Sequence, residues 1–381
     1  MFRKILMFFV VSLFAFCDAS EHDPTIELIR SLTNAHGSSG FESPVCNIMK
    51  EQLSDLLVDM KVDKMGNLIG FRGKGKDKPR VLLMAHMDEV AFIIREISEE
   101  GFIFFDNIGW WIDPVIVGQK WIISTAKGPV SGITGIESSH VIVEYPRTPN
   151  ISQKRMFLDI GVKSKQEAEA LGIRPGLPIT PDVDFQILNG TQRYCAKAFD
   201  DRIALASIIT TLQRLKGIDL PCEVVVAATV QEEFVMKGAQ TVFASTHPDV
   251  VVNIEVGIAR DFPVLFPNHL SHTPRLSKGP TIFVYDNSML PTNGLVDYFS
   301  WIANEYQIPF QYEAELVNYG QDGCRLQGAG CGTYVINLGI PTRYVHAHYG
   351  ILDRSDFDNM GLLIENFLRS FDKAALEELA Q

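Results

Sequence analysis

Cysteine is scarce in this chain and follows no pattern. Of six in 381 residues, Cys46, Cys195, Cys222, Cys324 and Cys331 lie beyond the N-terminal segment, an odd set with no CxxC pair and no regular spacing. That pattern fits neither a disulfide framework nor a thiolate zinc site. Most of the five are expected to be buried small hydrophobes, with one disulfide among them left open. Basic residues are also short. There are 34 Lys and Arg against 46 Asp and Glu, a formal net charge of −12, so the basic face a nucleic-acid partner needs is missing. No basic amphipathic helix marks a membrane-surface role.

The apolar run Ile5–Phe16 is too short for a comfortable membrane span. Arg3 and Lys4 precede it, and Cys17-Asp-Ala19 supplies small residues at the −3 and −1 positions of a cleavage site. Residues 1–19 are therefore expected to be a signal peptide that exports the protein to a periplasm or beyond. An uncleaved, membrane-anchored form is the variant of that expectation.

What is present suits a globular protein of two domains. Hydrophobic residues make up 46% and charged ones 21%, too apolar for disorder, and the length exceeds one usual domain. Pro24–Leu32 reads as a short helix, Ser43-Pro44 as the start of a second, and Val81-Leu-Leu-Met-Ala85 as a buried central strand. From about Phe92 to Leu188 the chain becomes short β segments: Phe102–Phe105, Val115–Ile123, Val130–Ile133, Val141–Tyr145 and Phe157–Ile160. One small helix opens there with the capping box Ser164-Lys-Gln-Glu167. Trp110, Trp111 and Trp121 fall in this stretch and read either as core or as a subunit interface. Strands then alternate with helices: Glu223–Val230, Met236–Ser245, Asp249–Ile254, Thr333–Leu338, and a last helix from Ser355. The expected fold is α/β, a mostly parallel sheet sandwiched by helices (residues 20–91 and 189–381), with a small β-rich domain inserted at 92–188.

Polar residues collect where the expected strands end: His86, Asp88, Glu232, Glu233, Glu255 and His346, with Asp200 and Asp201 at the start of an amphipathic helix. Each alone is most simply a cap, a surface charge or a packed imidazole. Together they are the donor types that two divalent, zinc-like ions require, since imidazole and carboxylate both suit zinc or cobalt. A carboxylate shared by two such ions would clamp them, and a neighbouring glutamate could act as base.

These residues stand in order within Gly37-Ser-Ser-Gly-Phe-Glu42, Val62-Asp-Lys-Met-Gly-Asn67, His86-Met-Asp-Glu-Val90, Asp159-Ile-Gly-Val-Lys163, Ala198-Phe-Asp-Asp-Arg202, Gln231-Glu-Glu233, Glu255-Val-Gly-Ile-Ala259 and Pro341-Thr-Arg-Tyr-Val-His346. The series resembles the M42 family of metallo-aminopeptidases, the tetrahedral aminopeptidases with glutamyl and leucyl members, over almost the whole chain. The resemblance implies two divalent ions per subunit, zinc or cobalt. Asp200 would bridge them, His86 and Glu255 would complete one site, and Glu233 and His346 the other. Glu232 would be the general base on a water between the metals, and Asp88 the carboxylate that accepts from the far nitrogen of His86. It also implies short peptide substrates, and a homo-oligomer in which the insertion pairs subunits into dimers that build a dodecamer. The family is mostly cytosolic, which sits against the leader. Three departures touch no ligand: Gly320-Gln-Asp-Gly323 lacks a usual Thr, Val235-Met-Lys-Gly238 places Lys237 where Arg is usual, and Ala347-His-Tyr-Gly350 replaces a commoner Ser-Pro.

Three other functions compete. A glycosidase needs only two carboxylates, Glu232 with Glu233 or Asp200 with Asp201, and leaves both histidines unused. A catalytically inactive binding homologue would keep the site as a relic. A dinuclear deacylase of N-acyl amino acids differs from an aminopeptidase in needing no free amine.

Overall fold

A computed structural model describes residues 23–379, apart from 74, 76, 137, 139, 141–151, 264–273 and 315–318. The leader at 1–19 and the expected strand Val141–Tyr145 lie outside the described residues.

The sheet is built on four adjacent parallel strands, in the order Glu223–Thr229, Arg80–His86, Val250–Ile258 and Tyr334–Arg343. Their near-continuous apolar sequences are buried on both faces, as strands between two helix layers must be. Successive side chains point to opposite faces. Val81, Leu83 and Ala85 therefore join the core beneath the helices Pro24–Asn34, Phe199–Arg214 and Arg354–Ser370, while Leu82 and Met84 meet Ala239, Val242 and Leu326 on the other side.

The sheet is parallel at its centre rather than throughout, which corrects the expectation of a mostly parallel one. Val58–Val62 and Leu68–Arg72 pair antiparallel at one edge, as do Gly350–Asp353, Arg193–Ala196 and Gln186–Ile187 at the other. Thr281–Tyr285 pairs antiparallel with the last central strand and parallel with Gln311–Ala314. The reason is connection length. A parallel neighbour needs a crossover of about a dozen residues or more, whereas a short turn such as 63–67 can only fold the chain back on itself.

Between the first and second halves of this sheet, six strands from Ala91 to Pro181 close into a barrel. Phe92 lies at its centre, with ring centroids 4.4 Å from Phe105, 5.1 Å from Trp111 and 4.6 Å from Trp121. Both indole N–H groups are satisfied internally, Trp121 on Thr134 Oγ1 at 3.1 Å and Trp111 on the Ala91 carbonyl at 3.2 Å. These two tryptophans are core, whereas Trp110 is 73% exposed. The single expected strand Val115–Ile123 is instead a short 3-10 turn, Asp113–Val115, followed by a strand at Lys120–Thr125. Gly118 at φ 73° breaks the extended run between them. The capping box forms: Ser164 Oγ accepts from the Glu167 amide, and the Glu167 carboxylate reaches back to the Lys163 amide.

The barrel is locked to the α/β part by His348, whose Nε2 donates to the Lys120 carbonyl at 3.0 Å and whose ring meets Trp121 edge-on at 4.2 Å. The five cysteines beyond the leader are free. Among the described residues, no helix is long and apolar enough to cross a membrane.

Candidate functional site

Parallel strands deliver their C-terminal ends to one edge of a sheet, where functional groups gather. His86 closes its strand, Glu232 and Glu233 follow Glu223–Thr229, Glu255 lies in the later half of Val250–Ile258, and His346 follows Tyr334–Arg343. Asp200 comes to the same edge from the start of Phe199–Arg214. The backbone there is not helical: Ala198 has φ 53°, Asp200 is extended at φ −77°, ψ 103°, and the Asp200–Asp201 peptide is cis. The Asp200 side chain makes no capping bond to its own helix, and its two oxygens face histidines instead.

The structure brings all five expected ligands together. Asp200 Oδ1 lies 2.9 Å from His86 Nε2, and its Oδ2 lies 3.2 Å from His346 Nε2. Glu255 Oε1 stands 3.5 Å from His86 Nε2, and Glu233 Oε1 stands 3.3 Å from His346 Nε2. Two groups of three donors result, His86–Asp200–Glu255 and His346–Asp200–Glu233, each with its atoms within 4.8 Å of one another and each able to hold a metal ion. His86, Glu232 and Glu233 form a third such group. Asp201 turns away, and its Oδ2 accepts from the His86 amide at 3.3 Å.

Asp88 sits elsewhere in the hydrogen-bond network than expected. The Nδ1 of His86 lies 3.0 Å from the Asp88 backbone carbonyl, and the nearer carboxylate oxygen is 3.6 Å away. That carboxylate is fully buried and accepts instead from Ser39 Oγ at 2.6 Å and from the backbone amides of Glu232 at 3.0 Å and Glu233 at 3.1 Å. A carbonyl two residues on along the chain reaches the imidazole more directly than a side chain does. The carboxylate is left to pin the Glu232–Glu233 turn. This turn is also where the expected helix Met236–Ser245 fails to start: Val235 and Met236 have φ of 62° and 55°, so the helix begins at Ala239.

Electrostatics set the character of the site. Burial pushes the carboxyls of Glu232, Glu255 and Asp201 well above their usual range, with neighbouring carboxylates adding to the effect, and Glu233 is raised for the same first reason. Asp322 is pushed up to about 6 by burial, although Thr229 donates a hydrogen bond to it. Asp200 runs the other way: burial opposes its charge, but hydrogen bonds from His346 and His86 outweigh burial and hold it low. Both imidazoles are raised, burial being overcome by Glu255 and Asp200 at His86 and by Glu233 and Asp200 at His346. So many buried acids around two imidazoles lack positive charge. Glu233 Oε1, buried without a hydrogen-bond partner, points the same way. The donor set fits divalent cations.

Sequence reasoning missed several neighbours. Glu42 accepts from the amides of Gly40 and Gln231, tying two of the resemblance motifs together, and burial with the nearby Asp88 charge raises it to about 7. Glu89 is held by Lys197 through both oxygens at 2.7 and 2.8 Å in a fully buried pair. The barrel enters the site directly: at Gly109, φ 78°, a Cβ would sit 2.6 Å from Val90 and 2.8 Å from the Glu233 carboxylate. A cavity of about 300 Å³ opens over the carboxylates. Glu42 and Asp322 stand inside quoted motifs, the one signal that could have flagged them.

Comparison with known proteins agrees with this arrangement. A family model described as M42 glutamyl aminopeptidase matches residues 66–363. A lysyl aminopeptidase of Pyrococcus furiosus is 29% identical, covering 93% of this chain and 97% of its own. A TET aminopeptidase structure from the marine sediment archaeon Thaumarchaeota archaeon SCGC AB-539-E09 is 36% identical with TM-score 0.88, covering 93% of this chain and 98% of the other. The Pyrococcus horikoshii TET1 peptidase, described as able to assemble into a tetrahedron or a large octahedral shell, is 28% identical with TM-score 0.82, covering 91% and 100%. The expectation of export, and of an anchored form, is corrected by these matches. The relatives aligned over nearly the whole chain are described as a lysyl aminopeptidase and a TET peptidase.

Proposed function

The chain belongs to the M42 aminopeptidase family and is a peptide-bond hydrolase; from that premise we propose that it is a dinuclear metallo-aminopeptidase removing N-terminal residues from short peptides. The observation that carries this reading is the placement of the two Asp200 oxygens against different histidines, 2.9 and 3.2 Å away. His86, Asp200 and Glu255 would hold one ion, and His346, Asp200 and Glu233 the other, with zinc or cobalt matching the donor types. Bound divalent ions would supply a water acidic enough to lose a proton near neutral pH, and polarisation of the scissile carbonyl.

The chain's own residues do the rest. Glu232 is buried and fixed through its amide to Asp88, so its carboxylate is positioned to take the proton of the attacking water and pass it to the leaving amine. The Asp88 carbonyl holds the Nδ1 proton of His86 and turns Nε2 toward Asp200. Pairing of subunits through the barrel, leading to a larger homo-oligomer, belongs to the same reading.

A glycosidase based on Glu232 with Glu233, or on Asp200 with Asp201, fits less well. Glu233 and Asp200 are both engaged with His346, and Asp201 faces a backbone amide. The test is metal stripping followed by titration. Hydrolysis of an aminoacyl p-nitroanilide should vanish with a chelator and return with zinc or cobalt, with two equivalents bound per chain and no cleavage of the N-acetylated substrate. A single equivalent at full activity, or turnover of the blocked substrate, would refute the reading.

A further inference from the structure

Likeness leaves the preferred N-terminal residue open, because the matching family is described by glutamate and one relative by lysine, side chains of opposite charge. The cavity above the carboxylates is more decisive. In an aminopeptidase the first residue is the one part of the peptide that lies ahead of the scissile bond. Its side chain must therefore meet whatever walls the cavity beyond the metal-binding groups. Among the described residues those walls are Trp110, Val235, Met236, Asn287, Ser288 and Tyr319, closed by Gly320.

None of these carries a charge. The carboxylates in the lining, Asp200, Glu232, Glu233 and Glu255, are all assigned to metal binding or proton transfer in the reading above. Two nearby cations stay outside. Lys237 and Arg325 are both exposed and neither lines the cavity, Arg325 donating to the Val235 carbonyl at 3.2 Å. The floor is soft and apolar: the Met236 methyl lies 2.9 Å from where a Cβ on Gly320 would sit, and its sulfur is 3.5 Å from Cys324 Sγ. A thioether that shares the cavity wall with a valine and a tryptophan adapts to aliphatic side chains of different shape. A carboxylate or ammonium placed against these walls would meet only neutral groups, Asn287 and Ser288 among them, and no opposite charge.

Resting on the dinuclear aminopeptidase reading, we propose that this enzyme removes uncharged, apolar N-terminal residues of leucine or methionine type, and discriminates against both glutamate and lysine. Val235 marks the wall that sets this preference. It is a β-branched residue held at φ 62° and 56% exposed. An unbranched side chain is less strained there, so Val235→Lys should fold while bringing a cation to the wall.

The experiment uses the full chain loaded with zinc or cobalt, and Leu-, Met-, Glu- and Lys-p-nitroanilides. In the wild type, kcat/KM for Leu and Met should exceed those for Glu and Lys by about 100-fold or more. Val235→Lys should raise the Glu to Leu ratio by about 10-fold or more. Glu or Lys cleaved by the wild type within about 10-fold of Leu would overturn the proposal while leaving the aminopeptidase reading intact. An unmoved ratio in the variant would overturn it too. Failure to cleave any of the four would remove both readings.

Discussion

Replacing Asp88 with asparagine tests what holds the catalytic turn in place. The carboxylate accepts three hydrogen bonds, from the Glu232 amide on Oδ1 and from the Glu233 amide and Ser39 Oγ on Oδ2. Burial opposes its charge, but the nearby His86 imidazole, with the hydrogen bonds from Ser39 and the Glu232 amide, outweighs burial and keeps the acid ionised. An asparagine in its best orientation keeps the oxygen on the Oδ2 side. Its amide then faces the Glu232 N–H, donor against donor. Orphaning one buried N–H costs about 1–3 kcal/mol, and demoting two charge-assisted bonds to neutral ones costs about 1 kcal/mol each. The sum is about 3–5 kcal/mol, concentrated on one turn. Hydrogen exchange on metal-free protein, followed by mass spectrometry, reads this locally. Peptides covering 231–236 should lose protection by about a hundredfold to several thousandfold, while the central strand Arg80–His86 is unaffected. Ser39→Ala, which removes one donor and leaves the acid, should show a smaller loss in the same peptides. Unchanged exchange at 231–236 in Asp88→Asn would refute the account and return Asp88 to a role centred on the imidazole.

Other predictions concern chemistry and folding. Glu232→Gln should bind two metal equivalents yet lose about 10²–10⁴-fold in kcat; near-normal turnover by a metal-replete variant would remove Glu232 as the base. Lys197→Met should destabilise by about 3–5 kcal/mol, because the buried Glu89 carboxylate would keep only the Gly37 amide at 3.1 Å and Arg202 at 3.7 Å. Adding Glu89→Gln should recover part of that loss in a denaturation cycle, and strict additivity would show that the pair is not coupled. Asp356 is raised by burial from 3.8 to about 6, despite accepting from the Ser277 and Gly279 amides. Its charged form therefore opposes folding. The penalty is absent below about pH 3.8, grows toward pH 6 and is complete above it, so wild type should lose about 2–3 kcal/mol relative to Asp356→Asn between pH 4 and 6.5. A constant difference across that range in urea denaturation would contradict this.

How much could be read in advance follows from which forces are local. The run Val81–Ala85 announces a doubly buried strand because apolarity on both faces leaves no period in the sequence. Once the central strands are recognised, His86, Glu233, Glu255 and His346 follow as residues at one edge. The turn 234–238 is not legible, because its positive φ at Val235 and Met236 goes with long-range bonds, from Arg325 to the Val235 carbonyl and from Asn67 to the Gly238 carbonyl, that the local sequence does not announce. The antiparallel edges were missed because pairing direction depends on connection length more than on strand composition. Burial of Trp111 and Trp121, with Trp110 left outside, reflects barrel closure, a long-range event that neighbouring residues do not encode. The Asp88 carboxylate lies 3.6 Å from the far nitrogen of His86 while its own backbone carbonyl lies at 3.0 Å, a preference set by local loop geometry that residue type does not reveal.

Gly109 and His348 fasten two halves of the molecule at the place where catalysis is assigned, one lying against Glu233 and the other two residues beyond His346. Trimming the chain to its α/β portion would therefore not yield a smaller working peptidase. It would strip away a wall and a tether together, so whatever bends or steadies the barrel reaches Glu233 and the chain beside His346 without any intermediary.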